Sequence, residues 1–286
     1  MKHYNYSPII ILGMHRSGTS LVTESLEKLG LFVGKRKDEN HEAVFFRKLN
    51  EWLLRQCGSA WDEPQGIAHL LANGPVLNLT QDYLAHILRT PRAILYWGLK
   101  GYLSHHGFAR IERPWGWKDP RNTFTLPIWR ALFPEARIIH VSRHGVDVAH
   151  SVIVRQEQSL RLASTQHARR KWFYWVYPKR GGFTESVRCF DLDRSFSLWE
   201  EYMLEADRQV QGLEAYTKNI RYEDFLSDPV AHLRDLAKFC GLSVSEARLG
   251  DTARTVRTSR ALAYRTDDSL RSYAERVAPR LKRLGY

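Results

Sequence analysis

The sequence predicts an α/β fold in which a central parallel sheet is flanked by helices in three layers. Two segments, Pro8–Leu12 and Arg137–Val141, have the length and the apolar character of buried parallel strands. Each is followed by a short glycine-containing turn and then by a helical pattern, at Thr19–Leu29 and from Gly145 onward. Because strands that alternate with helices form parallel sheets, this order predicts the fold class.

The other elements continue this alternation. Residues 41–106 have a mostly helical pattern that is broken at Gly58–Pro64 and at Asn73–Pro75. Further elements are predicted as a short strand at Trp115–Lys118, a helix at Leu126–Phe133, a strand at Asn219–Tyr222 and a helix at Pro229–Cys240. We expect one domain over residues 1–286, with a helical or lid insertion near residues 160–193, where the periodicity is weak.

Composition narrows the classes of partner and compartment. The net charge of +12 and the pI near 9.7 predict an anionic partner, which can be a nucleotide, a nucleic acid, an acidic glycan or a membrane surface. The three cysteines are far apart and form no CxxC, so we expect neither a disulfide framework nor a metal site. The sequence shows no signal peptide and no apolar stretch of the ~18 residues that a transmembrane segment needs, which predicts a cytoplasmic protein.

The segment Gly13–Ser20 connects the first strand to the first helix. Glycines allow the backbone to curl so that successive N–H groups point inward, and the helix N-terminus adds partial positive charge. This P-loop-like context predicts an anion cradle, with a tight turn that binds no ligand as the alternative. A Walker loop would carry lysine directly after Gly18, but Thr19 occupies that position, which argues against a kinase or NTPase.

The loop resembles the 5′-phosphosulfate loop of sulfotransferases that use 3′-phosphoadenosine 5′-phosphosulfate (PAPS). An arginine replaces the lysine of the cytosolic members, as in tyrosylprotein and many bacterial and carbohydrate members of the family. The resemblance implies a PAPS-dependent sulfotransferase that needs no metal, because cations of the protein activate the donor. It also implies that the 5′-phosphosulfate end is held by His15, Arg16, Ser17, Gly18, Thr19 and Ser20.

A second motif lies at the next strand–helix junction. Arg143 follows the strand and Ser151 stands eight positions later, which is the spacing of the family's 3′-phosphate motif. The resemblance therefore implies that Arg143 and Ser151 bind the 3′-phosphate. His144-Gly145 departs from the usual Asn-Pro or Asp-Pro. Two further segments, Trp117–Arg121 and Arg221–Asp224, also resemble family signatures.

The resemblance also implies which residues perform the chemistry. In an in-line displacement at sulfur, negative charge builds on the oxygen that links sulfur to the leaving phosphate, and a cation must meet it. We assign Arg16 to this oxygen and Lys118 to the role of second cation, because family members have a lysine near that position. An ion pair between Lys118 and Asp119 or another carboxylate is the alternative.

The general base is predicted to be a carboxylate. Cytosolic relatives use a histidine just after the position of Lys118, and this chain has none there. Tyrosylprotein members have a glutamate about twenty residues beyond the loop arginine, where Glu39 and Glu42 lie. We prefer Glu42 because it opens an apolar helix, where burial can raise the pKa of a carboxyl, although it can also serve only the helix dipole. The reserve candidates are Asp62, then His41 and His144.

The acceptor is the least specified part of the prediction. The segment Trp172–Arg180 combines five aromatic rings with cations, which suits a glycan or phenol acceptor, or else forms a buried helix end with a solvated basic turn. An anionic carbohydrate is favoured, and a tyrosine peptide or a small alcohol is the alternative. The rival function classes are a P-loop kinase or NTPase and a nucleic-acid-binding module, but no zinc knuckle or RNP-type sequence is present, so no nucleic-acid partner is expected.

Overall fold

The computed structural model describes residues 6–257 and 261–286. Its chain divides into two compact units. The first contains the described residues up to Arg143 and those of Tyr202–Ala261, and the second contains His144–Glu201 and Leu262–Tyr286. The expectation of a single domain stays a prediction, and each unit is described by itself.

The first unit contains a parallel sheet. Its strands are β1 (Ile9–Leu12), β2 (Gly116–Lys118), β3 (Arg137–Ser142) and β4 (Thr217–Arg221), in the spatial order β2-β1-β3-β4. All three pairings are parallel, and Ile11 stands opposite Lys118 on one side and Ile139 on the other. The three-layer α/β prediction is confirmed, and each strand lies within two residues of its predicted start.

Helices occupy most of the remaining chain. Those of the first unit are α1 (Thr19–Lys28), α2 (Val44–Arg55), α3 (Ile67–Ala72), α4 (Gly74–Ile87), α5 (Ile94–His105), α6 (Asn122–Leu132), α9 (Tyr222–Ser227), α10 (Pro229–Phe239) and α11 (Glu246–Arg254). The second unit contains α7 (Gly145–Arg170), α12 (Asp268–Arg276) and α13 (Ala278–Arg283), and α8 (Leu192–Val210) runs through both units.

Two predicted helix boundaries were wrong. The helix predicted to begin at Leu126 begins four residues earlier, at Asn122, and Pro127 lies inside it. The break predicted at Asn73–Pro75 is limited to Asn73, which caps α4 by accepting a hydrogen bond from the Val76 N–H. Pro75 lies in the first turn of α4, where a backbone N–H would have no partner within the helix, so the helix accommodates it.

Two cores cover the two faces of the sheet. On one face α1 and α10 pack through aliphatic side chains, including Val22, Leu26, Leu233 and Leu236 with Ile9, Ile11 and Ile139. The other core is aromatic, and the ring of Phe46 stacks on Trp117 with centroids 3.9 Å apart. Tyr96 and Trp129 contact Phe46 edge to face. These cores fix β1, whose four residues are all buried.

In the second unit α7 is a long helix whose C-terminal half is exposed. The chain then returns along it through short 3-10 turns at Phe173–Trp175 and Arg188–Phe190. The buried side chain of Gln156 accepts the backbone N–H groups of Glu185 and Ser186, which pins the returning segment to α7. Among the described residues, no helix combines the length and the apolar character needed to cross a bilayer.

A buried histidine makes the stability of the first unit depend on pH. His140 lies in the middle of β3, and burial lowers its pKa from the ordinary 6.5 to about 4. Between these values the unfolded chain binds the proton and the folded chain does not, so stability is present above pH 6.5 and falls as the pH drops towards 4. The full loss should be roughly 3 kcal/mol.

Urea unfolding at a series of pH values measures this effect. His140→Gln should remove most of the loss between pH 6.5 and 4. His86→Gln, on the exposed surface of α4, is the control and should keep the profile of the unmodified protein. A His140→Gln protein with an unchanged profile would show that other groups cause the acid instability.

Candidate active site

The motifs singled out in the sequence lie at one edge of the sheet in the first unit. Parallel strands end at the same edge, and here the glycine loop follows β1, Asp119 follows β2, Arg143 follows β3 and Tyr222 follows β4. The strand after β1 in the chain is β2, which lies on one side of β1, and the strand after β3 is β4, which lies on the other side of β3. The crevice between β1 and β3 is therefore a topological switch point. Ligands of open α/β sheets bind outside the carboxyl ends of the strands at such a point.

Close backbone packing requires the two glycines of the loop. Gly13 has a φ of 132°, and a Cβ there would lie 2.2 Å from the carbonyl oxygen of Val141. Gly18 has a φ of 96°, and a Cβ there would lie 2.2 Å from the ring of Tyr222. The hydroxyl of Ser17 lies 2.7 Å from the carbonyl of Met14 and 3.1 Å from that of Val141. Ser17 therefore ties the loop to β3.

Arg16 and Arg143 meet beside this loop. Arg16 is exposed and adopts a left-handed backbone conformation with a φ of 70°, which is strained for a residue with a Cβ. Nη1 of Arg143 lies 3.4 Å from the carbonyl oxygen of Arg16. The Arg143 guanidinium stacks over the ring of Tyr222 at 4.7 Å. Tyr222 thus supports both Gly18 and Arg143, a role that the sequence pattern did not indicate.

The other side chains of the loop turn towards the protein. The ring of His15 packs edge to face on Trp61 at 4.7 Å, and the hydroxyl of Ser20 donates to the carbonyl of Asn40 over 2.9 Å. Thr19 is buried in the first turn of α1. What the loop presents outward is the Arg16 side chain together with the first N–H groups of α1, which have no carbonyl within the helix to bind. Ser151 lies half-buried on α7 in the second unit.

Lys118 and Glu42 contact each other. Lys118 Nζ lies 3.1 Å from Oε1 of Glu42, and Nη1 of Arg121 lies 3.5 Å from Oε2. Lys118 and Glu42 are almost fully buried, and the side chain of Glu42 is only 4% exposed. The structure thus joins two residues that the sequence analysis assigned separately, and it adds Arg121 to them. The ion pair with a carboxylate that was the alternative for Lys118 is therefore present, and the catalytic role of Lys118 stays a prediction.

The electrostatics of this cluster follow from its burial. Burial raises the pKa of the Glu42 carboxyl above its ordinary value and outweighs Lys118 and Arg121, which lower it. Burial alone would lower the pKa of the Arg121 guanidinium, but neighbouring carboxylates, first that of Asp119, raise it. A buried ion pair is stable only when its remaining donors and acceptors are satisfied. Arg121 contributes to this by also donating to Asp119 over 3.0 Å.

A short turn holds Glu42 beside the glycine loop. One carboxylate oxygen of Asp38 accepts the N–H groups of Asn40 and Glu42, each at 2.9 Å. The carbonyl of Asn40 accepts the Ser20 hydroxyl, so the turn is attached to the first turn of α1. These contacts place the Glu42 backbone next to the loop, while its side chain reaches the end of β2.

Asn50 on α2 organises the other side of the cluster. Its amide nitrogen donates to Oδ2 of Asp119 and to Oδ1 of Asn122, each at 2.9 Å. Its amide oxygen accepts the Thr125 hydroxyl at 2.9 Å and the Trp129 indole N–H at 2.8 Å. The amide is fully buried, and all of its donors and acceptors are used. Asn50 therefore locks α2 to α6 and to the residue that follows Lys118.

The remaining base candidates have different surroundings. Glu39 is exposed and Asp62 is half-buried beside Trp61. His41 lies 3.5 Å from Glu27, and in the second unit the ring of His144 stacks on Tyr264 at 4.3 Å. Of all the candidate bases, Glu42 is the one whose carboxylate pairs with Lys118, the predicted second cation. No group of three or more His, Cys, Asp or Glu side chains that could hold a metal occurs in the described parts of the chain.

The aromatic segment of the second unit is not a buried helix end. Trp172 is 76% exposed and Trp175 is 93% exposed. The alternative of a buried end is therefore wrong. The interpretation of Trp172–Arg180 as a segment that contacts the acceptor stays a prediction.

Comparison with known proteins agrees with this geometry. A family model described as "Sulfotransferase family" matches residues 8–246, which is most of the chain. A search of curated proteins gives no match. One similar solved structure is the sulfotransferase domain from the Curacin biosynthetic pathway, with a TM-score of 0.50 and 16% sequence identity over 96% of this chain and 99% of that chain. Another is the sulfotransferase STF1 from Mycobacterium tuberculosis H37Rv, with a TM-score of 0.50 and 15% identity over 89% of this chain and 72% of that one.

The family match defines an enzyme class. A parallel α/β sheet with a glycine loop between β1 and a helix N-terminus fits this class, because that place in such a fold favours a phosphorylated ligand. The chain belongs to the sulfotransferase family and is a sulfotransferase enzyme. The alternatives of a P-loop kinase and of a nucleic-acid-binding module are therefore set aside. The family implies PAPS as the sulfate donor.

The residues present fit such a donor. The exposed Arg16 supplies positive charge beside the first turn of α1, whose N–H groups favour an anion. Arg143 supplies a planar guanidinium at the end of the neighbouring strand. A doubly phosphorylated nucleotide requires a cation for each of its phosphate-bearing ends, and Arg16 and Arg143 are the cations that the two sequence motifs predict for them.

The hydrogen bonds of Asn50 predict a large effect on stability. Asn50→Ala removes four hydrogen bonds and leaves the partners buried, so the free energy of unfolding should fall by about 2–4 kcal/mol. Asn78→Ala on the exposed surface of α4 is the matched control and should change it by about 0.5 kcal/mol or less. Urea unfolding measures both. Equal stability of the two variants would mean that Asn50 does not lock the helices.

Proposed function

We propose that this sulfotransferase moves a sulfuryl group from PAPS to a hydroxyl of a carbohydrate. The observation that carries the proposal is the position of Arg16 and Arg143 at the ends of neighbouring strands, with the Lys118–Glu42 pair at the end of the strand on the other side of β1. Donor groups and reacting groups then share one edge of the sheet.

In this proposal the loop and Arg143 divide the donor between them. The N–H groups at the start of α1 and the Arg16 side chain hold the 5′-phosphosulfate, where the helix dipole favours negative charge. Arg143 holds the 3′-phosphate through its guanidinium, which Tyr222 orients by stacking. Ser151 adds a hydroxyl donor according to the motif. The family lysine position, Lys118, supplies the second cation at the sulfuryl group.

The transfer itself forms one bond and breaks one. The acceptor oxygen attacks sulfur, and the bond from sulfur to the 5′-phosphate oxygen breaks in line, which leaves adenosine 3′,5′-bisphosphate. Arg16 meets the charge that develops on the departing oxygen. Glu42 accepts the proton of the acceptor hydroxyl. Lys118 and Arg121 lower the pKa of the Glu42 carboxyl and so counter part of the effect of burial, which still leaves this pKa above its ordinary value.

The acceptor assignment rests on charge. The chain has 43 Lys and Arg against 31 Asp and Glu, and its loop is of the type found in bacterial and carbohydrate members. A basic surface raises the local concentration of an anionic acceptor. An anionic glycan is therefore the first acceptor to test, followed by tyrosine peptides and small alcohols.

Donor binding tests the first part of the proposal. Adenosine 3′,5′-bisphosphate should bind in EDTA with a micromolar Kd, about 8 kcal/mol at 1 µM. Arg143→Ala should weaken this ligand by about 1.5–3 kcal/mol, and should affect adenosine 5′-phosphosulfate, which lacks the 3′-phosphate, much less. Isothermal titration calorimetry measures each Kd.

Arg137→Ala is the matched control, since Arg137 lies at the opposite end of the same strand. It should leave both affinities unchanged. The proposal fails at the donor if calorimetry and thermal shift both detect no binding of the bisphosphate. Equal weakening of the two nucleotides by Arg143→Ala would assign Arg143 a structural role instead.

The base is tested with Glu42→Gln. This change keeps the shape of the side chain and removes the proton acceptor, so donor binding should persist while turnover falls by roughly a hundredfold or more. In the unmodified enzyme kcat/KM should rise with pH as the Glu42 carboxyl ionises. This rise should occur at a pH above the ordinary pKa of a glutamate, because burial raises the pKa of Glu42. In the Glu42→Gln variant kcat/KM should not show this rise.

Glu51→Gln is the control, because Glu51 approaches the same guanidinium of Arg121 at 3.7 Å but is more exposed. It should turn over normally. If Glu42→Gln turns over normally while Asp62→Asn is inactive, the role passes to Asp62. If both remain active, His41 and His144 are the next candidates, and Glu42 is then a partner that positions Lys118.

A further inference from the structure

The residues 171–180 of the second unit form an aromatic–basic tip beyond the end of α7. Phe173 packs on Tyr177 with ring centroids 5.0 Å apart, and Trp172 lies edge to face on Phe173 at 5.9 Å. Trp175, 93% exposed, and Val176, 63% exposed, point into solvent beside them. Large apolar side chains exposed together on a folded protein mark a surface that is covered by a partner.

The aromatic–basic tip is held in place by its own unit. The ring of His167 on α7 stacks on Tyr174 at 5.6 Å and meets Phe183 edge to face at 5.3 Å. Lys179 lies over the ring of Phe183 at 4.8 Å and donates to two backbone carbonyls of the turn that follows. These contacts order the base of the tip and leave Trp172 and Trp175 outward.

The charge around the aromatic–basic tip has one sign. Between Glu157 and Glu185 the sequence contains no acidic residue. The same stretch contains six cations, all of them exposed, at Arg161, Arg169, Arg170, Lys171, Lys179 and Arg180. The partner is therefore anionic. A second copy of this chain is disfavoured, because it would bring two such groups of cations together.

The chemistry of the aromatic–basic tip distinguishes a lipid surface from a glycan. Sugar hydroxyls need hydrogen-bond acceptors as well as an aromatic face, but residues 171–180 contain no carboxylate, amide or aliphatic hydroxyl side chain. An exposed valine side chain is stabilised by transfer from water into hydrocarbon, and the hydroxyls of a sugar offer it no such stabilisation. Tryptophan and tyrosine rings favour the headgroup region of a bilayer, and nearby lysines and arginines are attracted to anionic lipids.

We infer that the aromatic–basic tip docks this protein on an anionic membrane surface, with Trp172, Trp175 and Val176 in the headgroup region and the surrounding cations on the phosphates. Binding of this kind scales with the apolar area inserted and with the charge at the surface. It requires no membrane-spanning helix. It is also independent of the proposed sulfuryl transfer, because it needs neither donor nor acceptor.

Vesicle sedimentation with the full-length protein tests the inference. Vesicles of phosphatidylcholine mixed with phosphatidylserine should bind the protein at least about tenfold more tightly than phosphatidylcholine alone, and high salt should weaken this binding. The double variant Trp172→Ala/Trp175→Ala should lower the partition coefficient roughly tenfold. Arg170→Gln/Lys171→Gln should lower it roughly twenty-five-fold, since each cation near the surface contributes about fivefold.

Matched controls lie elsewhere on the exposed surface. Leu79→Ala/Leu99→Ala removes exposed apolar side chains from the first unit, and Arg92→Gln/Lys100→Gln removes two exposed cations there. Both should bind vesicles as the unmodified protein does. Brominated lipids should quench the tryptophan fluorescence of the unmodified protein more than that of the Trp172→Ala/Trp175→Ala variant. Thermal unfolding confirms that each variant is folded.

Three outcomes would overturn the inference. The first is no sedimentation with anionic vesicles, or sedimentation that both tip variants leave unchanged. The second is binding to a sulfated polysaccharide that the tryptophan variant abolishes, with no binding to vesicles, which would make the tip a glycan surface. The third is a concentration-dependent dimer that the tryptophan variant dissolves, which would make a second copy the partner.

Discussion

The hydrogen bonds of Asn50 are the constraint on which the buried charges at the end of β2 depend. Asn50 lies on α2, yet its amide binds Asp119 after β2 and Thr125 on α6. Asp119 lies between Lys118 and Arg121 in the chain, so fixing it also fixes the two cations that hold Glu42. Because a buried network stabilises only when it is fully satisfied, one amide determines whether the charges at the end of β2 have a single arrangement.

The charges of this network act as one unit. Lys118 and Arg121 balance the carboxylates of Glu42 and Asp119 in a nearly water-free site. Removing a single member leaves its partner charged and buried, which costs more than the pair itself contributes. Effects of substitutions here will therefore not be additive. The same burial that makes the cluster costly also raises the pKa of the Glu42 carboxyl, which makes its carboxylate form a stronger base.

Local patterns allowed the sheet and the loop to be predicted from the sequence. The apolar run of β1 and the glycines of the loop report on structure within a few residues, and family resemblance added Arg143. The contacts between distant positions could not be predicted this way. Glu42 and Lys118 are 76 positions apart, and Asn50 and Asp119 are 69 apart. No local signal specifies that these side chains pair, and nothing in the spacing of Tyr222 indicated that its ring supports both Gly18 and Arg143.

The distribution of charge along the chain shows which segments cause the high pI. From the sequence alone the net charge of +12 predicted an anionic partner and left a nucleotide, a nucleic acid, an acidic glycan and a membrane surface open. The donor motifs account for little of it, since Arg16 and Arg143 are two cations. Residues 158–184 hold six Lys and Arg and no Asp or Glu, which is half of the net charge. That charge surrounds exposed indoles, so half of the excess positive charge belongs to the aromatic–basic tip and the other half is distributed over the rest of the chain.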